Sequence, residues 1–364
     1  MDIHIVGGFL GAGKTTAIIQ SAKILMAQGK KVAVITNDQG RYLVDTAFTR
    51  LSEIPSVEIT GGCFCCRYDD FEAVLVKLKD EIKPDCIFAE SVGSCADVVV
   101  TVVQPLRSAI ASAFADTEGK TDYSVFADSR LLLRRLEGKT LPFSEEVNYV
   151  YDRQIEEAGL LVLNKQDLLS PIEMEKLLDL AKQHLHQVEL LPLSAKDASG
   201  SSQWLRRLDL GGKELRGAPL QDMDYKRYTE GELRLAWLDA TLHISIPESK
   251  PYALRHSIET LFDKIRSAGI GIGHLKLLLE SDKVPALKIS AVAIEDDIPR
   301  IGPYSGSVTL TLNARLELGA DTLKKIVVDS LETSLRTEGA ELQWEHLEAF
   351  HPGIPKPQRG RTLE

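Results

Sequence analysis

Ile3-His4-Ile5-Val6-Gly7-Gly8-Phe9-Leu10-Gly11-Ala12-Gly13-Lys14-Thr15-Thr16 is the stretch from which the rest of the chain can be read. A short apolar run, Ile3 to Val6, enters a glycine-rich turn, and a helix-like run, Thr16 to Gln28, leaves it. Gly8, Gly13, Lys14 and Thr15 occupy the fixed positions of G-x-x-x-x-G-K-[ST]. Strand, turn and helix is the context this pattern requires. Glycines leave backbone N–H groups free to wrap a phosphate, and the helix start adds a favourable dipole. Gly8, Gly11, Gly13 and Thr16 are expected around the phosphates, with Lys14 reaching the outer ones and the Thr15 hydroxyl ligating Mg²⁺. A chance glycine-rich turn is the competing reading, and the full match in its proper context argues against it. The expected class is α/β: a P-loop nucleoside triphosphatase with a mostly parallel sheet.

A chain of 364 residues suggests about two domains, and 44% hydrophobic residues suffice for a sizeable core. The net charge of −10 argues against broad binding to nucleic acid or to an anionic membrane surface. No apolar run reaches transmembrane length, and the Met1-Asp2 start does not read as a signal peptide. Of five cysteines, Cys63, Cys65 and Cys66 crowd into four positions, which suits metal or redox chemistry in a reducing cytoplasm rather than a disulfide framework.

Outward from the loop, Lys30 to Thr36 reads as a buried strand that ends in Asn37-Asp38-Gln39-Gly40. Carboxyl ends of parallel strands face the ligand crevice, so Asp38, with Asp45 shortly after, could meet Mg²⁺ or the terminal phosphate. A solvated turn is the bland alternative, since Asn, Asp and Gly favour turns. Gly61-Gly62-Cys63-Phe64-Cys65-Cys66 follows the short strand Ser56 to Thr60. Thiolates are soft ligands for zinc, copper or nickel, and three of them leave a coordination position open. A buried structural thiol set or a redox switch are the rivals. Cys86 to Ala89 reads as a further strand ending in Glu90-Ser91-Val92-Gly93, where Glu90 would serve the Mg²⁺ shell and Gly93 the γ-phosphate. Cys95 is either a neighbour of the thiols or a plain buried cysteine.

Valines 98–100, 102 and 103 favour strand by propensity, but their place after a phosphate-sensing loop favours helix. Gly159 to Leu163 is a buried strand that ends in Asn164-Lys165-Gln166-Asp167. Asp167 can accept from the ring N–H and the amine of guanine, where adenine offers the wrong pattern. Asn164 would contact the base and tie down the phosphate loop, and Lys165 would lie along the ring. Four residues alone are weak evidence, but after a phosphate loop and at a strand end they point to GTP. Ser194-Ala195-Lys196 closes a later strand and could cover the base.

The expected organisation is a nucleotide domain over 1–215, a linker over 216–231, a smaller α+β domain of ferredoxin-like element order over 232–350, and a Pro-rich extended tail over 351–364. The isolated histidines of the second domain form no cluster and are assigned no metal.

Together these motifs resemble the CobW-type metallochaperone GTPases, relatives of the nickel-insertion GTPases of hydrogenase and urease. The resemblance rests on Gly8 to Thr16, Asn37-Asp38 with Asp45, Gly62-Cys63-Phe64-Cys65-Cys66, Glu90-Ser91-Val92-Gly93, Arg153-Gln154-Ile155-Glu156 and Asn164 to Asp167, in that order over roughly the first half of the chain. It implies a SIMIBI-type GTPase domain with a thiol metal site near the switch regions. Lys14, Asp38 and Glu90 would then carry hydrolysis, Thr15 and Glu90 would hold Mg²⁺, and Cys63, Cys65 and Cys66 would hold a transition metal, zinc first and cobalt or nickel after it. Asp38 stands where the family usually has Glu, Glu-Ser-Val-Gly replaces a more usual Glu-(Ser/Thr)-Thr-Gly, and no His-rich tract is present. The implied partner is a client metalloenzyme, and a nucleotide-dependent homodimer fits the class. Two other readings compete: a GTP-gated binding module for a corrinoid protein, with structural or redox thiols, and an ATP-using kinase, against which Asn164 to Asp167 argues.

Overall fold

The computed structural model describes residues 1–364 except 39–43, 45–53, 114–118, 187, 210–214, 294, 295, 297 and 362–364, and omits the side chains of 38 and 110–113. Its contacts divide the chain into two units: Met1–Gln39, Thr49–Gly231 and Ile354–Glu364 form the first, and Glu232–Gly353 make up the body of the second.

The first unit is built on seven parallel strands: β1 (Asp2–Gly8), β2 (Val32–Asp38), β3 (Ser56–Thr60), β4 (Cys86–Glu90), β5 (Thr121–Asp128), β6 (Leu160–Asn164) and β7 (Glu189–Pro192), in the order β3-β2-β4-β1-β5-β6-β7. A sheet covered by helices on both faces needs apolar side chains in both directions. Ile3, Ile5 and Val6 of β1 are all buried, as is every residue of β5 and β6. Trp204, on the helix Ala198–Asp209, is fully buried; its ring meets Phe88 and Phe126 and its Nε1 donates to Ser124 Oγ at 3.2 Å. β1 pairs with β4 on one side and β5 on the other, so the glycine-rich turn after β1 leaves the sheet where the strand order reverses. That switch point is the ligand crevice of an open parallel sheet.

After β4 the chain turns through a π-helix, Val99–Val103, into the helix Gln104–Ala113. The valines that favour a strand by propensity are instead packed as a helical core. Val99, Val102 and Val103 are buried, and the Thr101 hydroxyl bonds back to Asp97 O at 2.6 Å.

The segment 216–231 packs with the first unit: Ala218 N donates to Glu157 O at 3.2 Å, and the helix Tyr225–Arg234 contains the division between units. The described part of the tail, 354–361, also belongs to the first unit, where Lys356 N, Gln358 N and the Arg361 side chain find acceptors.

The second unit has five antiparallel strands: β8 (Leu235–Ile246), β9 (Ile272–Ser281), β10 (Val284–Ala291), β11 (Gly306–Glu317) and β12 (Glu341–Phe350), in the order β10-β9-β11-β8-β12. With β10 set aside, the order β9-β11-β8-β12 and the helices Ala253–Ser267 and Ala320–Thr337 give the split βαβ arrangement of ferredoxin-like folds. β10 is an extra edge strand. Leucines 254, 261, 275, 277, 310 and 312 are in its core.

Glu157 is buried under the start of the π-helix, accepting from Val99 N at 3.0 Å and from the Tyr123 hydroxyl at 3.3 Å. Burial pushes its carboxyl up to about 8, against the opposing pull of the Val99 N–H. A carboxyl raised in the fold contributes stability that is full below its ordinary value and lost as pH rises through about 8. Glu157→Gln should therefore gain stability over the wild type between pH 5 and pH 9, by on the order of a few kcal/mol. Urea-unfolding midpoints at the two pH values check this; parallel midpoints would show a carboxyl ionised in the fold.

Candidate functional site

Gly8 and Gly13 show why the turn after β1 needs glycine. Gly8 has φ 124°, and a Cβ there would lie 2.1 Å from Phe126 O. Gly13 has φ 90°, and its Cβ would lie 2.3 Å from Asn164 Nδ2. Gly13 gives way to helix α1 (Lys14–Ala27), whose first turn has neither a capping side chain nor an acidic residue. A helix start of this kind suits an anion. Lys14 Nζ folds back over the loop and donates to Gly8 O and Phe9 O at 2.8 and 3.2 Å. Gly11 stands in the same turn, with φ 69°, and Thr16 is exposed on the first turn of α1. The Thr15 hydroxyl donates to Glu90 Oε1 at 2.9 Å. A hydroxyl and a carboxylate so converged are the oxygen donors that Mg²⁺ takes beside phosphates.

The Asn164 side chain spans two loops, donating to Ala12 O at 2.7 Å and accepting from Ala195 N at 2.9 Å. Lys165 sits at φ 61° with its Nζ 2.9 Å from Asp128 Oδ2. Asp167 is partly exposed, with Lys196 Nζ at 3.8 Å. Sequence reasoning passed over Asp128, which β5–β6 register sets opposite Asn164. Burial raises its carboxyl, but Lys165 and Arg130 outweigh burial and hold it down to about 2. Its signal in the sequence was only a carboxylate at a strand end. Asp38 ends β2 but its side chain is not described, and Asp45 lies outside the described residues.

The thiols lie on a tight turn. Cys66 N and Arg67 N both donate to Cys63 O, at 3.0 and 2.9 Å, and the turn runs into the helix Tyr68–Glu81. The turn lets the adjacent Cys65 and Cys66 converge, which a strand would prevent. Sulfur separations are 2.8 Å for Cys63–Cys65, 3.4 Å for Cys63–Cys66 and 3.8 Å for Cys65–Cys66. Phe64, between them, is fully buried and stacks on Phe71 at 4.4 Å. Hydrogen bonding to Cys63 pushes the Cys66 thiol up to about 12, with burial adding to it. Metal binding must displace such protons, so affinity falls on acidification.

Asn37 is the residue whose role the sequence did not show. Its Nδ2 donates to Ile59 O and Gly62 O at 2.9 and 2.7 Å, and its Oδ1 accepts from Phe64 N at 2.8 Å. One amide at the end of β2 thus holds the thiol turn at two points, Gly62 and Phe64, and the end of β3 at a third. The loop after β4 is held from another side, because Gln154 Nε2 donates to Gly93 O at 3.1 Å and to Cys95 O at 2.9 Å. The tail meets the same turn: Lys356 N donates to Cys66 Sγ at 3.1 Å and Gln358 N to Cys65 O at 2.8 Å. Arg361 clamps the buried Asp97 at 2.8 and 3.0 Å. In the second unit Asp239, His346 and Glu348 also lie close, on β8 and β12, and we assign them no ligand role.

A phosphate loop, a strand-end carboxylate and an Asn-Lys-x-Asp loop on one parallel sheet define a P-loop nucleotide-binding protein. The profile of the CobW/HypB/UreG nucleotide-binding domain matches residues 2–191, more than half of the chain, and the chain belongs to that family. It is 32% identical over 192 residues to a zinc chaperone CobW of Sinorhizobium sp, covering 45% of this chain and 51% of that one. It is 39% identical over 84 residues to the zinc chaperone YjiA of Escherichia coli, covering 22% of this chain and 25% of that one. The chain thus spans about half the length, or less, of these curated relatives. Among solved structures, HypB from Helicobacter pylori in complex with nickel aligns with a TM-score of 0.43 at 16% identity, over 61% of this chain and 92% of that one. Among the described residues, no helix is long and apolar enough to cross a membrane.

Asn37→Ala should loosen the thiol turn without unfolding the sheet. Each hydrogen bond lost from a buried group costs about 1–3 kcal/mol. If the thiols hold a transition metal, its affinity, probed with Zn²⁺ by chelator competition, is expected to fall at least tenfold while nucleotide binding persists. Unchanged Zn²⁺ affinity would show that Asn37 does not organise the turn.

Proposed function

We propose that the chain is a GTP-hydrolysing metallochaperone in which nucleotide state sets the affinity of Cys63, Cys65 and Cys66 for a transition metal. The observation that carries this is the anchoring of the thiol turn. Asn37 stands at the carboxyl end of β2 and Cys95 follows the carboxyl end of β4, on the side of the sheet where the phosphate loop opens. The curated relatives called zinc chaperones support zinc as the metal, with cobalt and nickel also within reach of thiolate ligands.

Gly8, Gly11, Gly13, Lys14 and Thr16 surround the phosphates, and Gly93 approaches the outermost. Asn164, Lys165 and Asp167 select guanine. Thr15 and Glu90 would hold Mg²⁺, which when bound supplies positive charge beside the phosphates. With Asp38, Glu90 orders the water that attacks the γ-phosphate. Positioning and charge carry the reaction, so the rate alone is slow until a client or a second copy completes the site. Filling the phosphate loop shifts the loop after Glu90 and the end of β2, and both shifts reach the thiols. The metal is then released to a client metalloprotein in a reducing, cytoplasmic setting.

Zn²⁺ affinity should differ between the GDP-bound chain and the chain bound to a non-hydrolysable GTP analogue by about 5- to 150-fold, the usual range for coupled sites. By linkage, Zn²⁺ must change nucleotide affinity by the same factor. The double variant Cys65→Ala, Cys66→Ala should lose both effects and keep GTP binding. Equal Zn²⁺ affinity in the two nucleotide states of the wild type would sink the coupling.

A further inference from the structure

We propose that Cys95 is a fourth thiolate ligand to the metal held by Cys63, Cys65 and Cys66, and that it is the ligand the nucleotide moves. The proposal rests on the metallochaperone reading above and names the residue through which that coupling runs.

The first ground is geometry. Two thiolates on one tetrahedral zinc, each about 2.3 Å from the ion, lie about 3.8 Å apart. Cys95 Sγ is 3.8 Å from Cys65 Sγ, the same separation as Cys65 from Cys66. Cys95 is 2% exposed and Cys65 1%, whereas Cys66 is only partly buried. Cys95 therefore meets the cluster from its interior side. The sulfurs of Cys63, Cys65 and Cys66 all lie within 4.8 Å of one another, and Cys95 is not in that group. A movement of its loop that brings it within the same reach of all three would complete a tetrahedron. Cys86, by contrast, starts β4, at the opposite end from Glu90, and is a buried small hydrophobe.

The second ground is the path from the phosphate loop. Ser91 N donates to Val6 O at 2.9 Å, which fixes the start of the loop against β1. Gly93 packs so closely on the phosphate loop that a Cβ there would come within 2.7 Å of Leu10 Cδ2 and 3.0 Å of Leu10 Cα. Gln154 ties the carbonyls of Gly93 and Cys95 to one amide nitrogen, so the step from 93 to 95 moves as a piece. Displacing Leu10 as phosphates enter the loop must displace Gly93, and Cys95 with it. In one nucleotide state the metal then has four thiolates and is held. In the other it has three and an open position, through which a client ligand can enter. Each thiol that ligates gives its proton to solvent, so no oxidant or reductant is involved.

Co²⁺ is the probe, because its sulfur-to-metal charge-transfer absorption counts thiolates. The full chain is loaded with Co²⁺ in the GDP state and with a non-hydrolysable GTP analogue. Wild type should show a stronger band in one state than in the other. Cys95→Ala and the near-isosteric Cys95→Ser should lower the stronger band by about a quarter, one ligand of four, and abolish the difference between states. Cys86→Ala should leave both bands unchanged. GTP binding by each variant verifies the fold. If Cys95→Ser gives the same bands as Cys86→Ala in both states, Cys95 is not a ligand and the proposal fails. If wild type shows no thiolate band at all, the metallochaperone reading beneath it fails instead.

Discussion

The side-chain amide of Asn37 is the constraint on which the rest of the arrangement depends. A turn that bears three thiols has little reason of its own to hold one shape, because its two leading glycines cost entropy to fix. Asn37 gives the turn a single conformation by supplying a donor to two carbonyls and an acceptor to one N–H. The same residue is part of β2, whose backbone is locked between β3 and β4. The rigid body to which the thiols are attached is therefore the central sheet itself. Phe64 finishes the task by burying the residue between the thiols.

On the other side of the crevice the same economy appears in Asn164. It joins the phosphate loop to the loop at Ala195, so that the two loops keep a fixed spacing. Asp128 performs the equivalent service for Lys165, holding a long flexible cation against a buried carboxylate whose charge is kept by its two basic neighbours. Fixed spacing would matter for a reaction that depends on positioning, where an error of an ångström is costly.

What the sequence revealed and what it hid follow from chain separation. Gly8 to Thr16, Cys63 to Cys66 and Asn164 to Asp167 are contiguous, so their chemistry is written in spacing. The element order of the second unit was legible for the same reason, since alternation and helical period are local. Asn37, Asp128 and the tail act across long stretches of chain, and no local pattern announces them. Cys95 had a local cue, its closeness to Glu90, but only the fold shows it 3.8 Å from Cys65. The valine run after Asp97 has the propensity of a strand, but its place after the loop at Glu90 pointed to helix, and in the structure it is a helix with a π turn.

The bond from Lys356 N to Cys66 Sγ bears on how a metal could leave. An N–H pointed at a sulfur lowers the electron density it can offer, so under the proposed function Cys66, the most exposed of the three thiols, would be the weakest donor. The segment that supplies it is covalently attached, so the N–H is held beside the sulfur without a second molecule. A partner that lifted residues 356–361 would uncover that sulfur and take the N–H away from it, which would strengthen it as a donor.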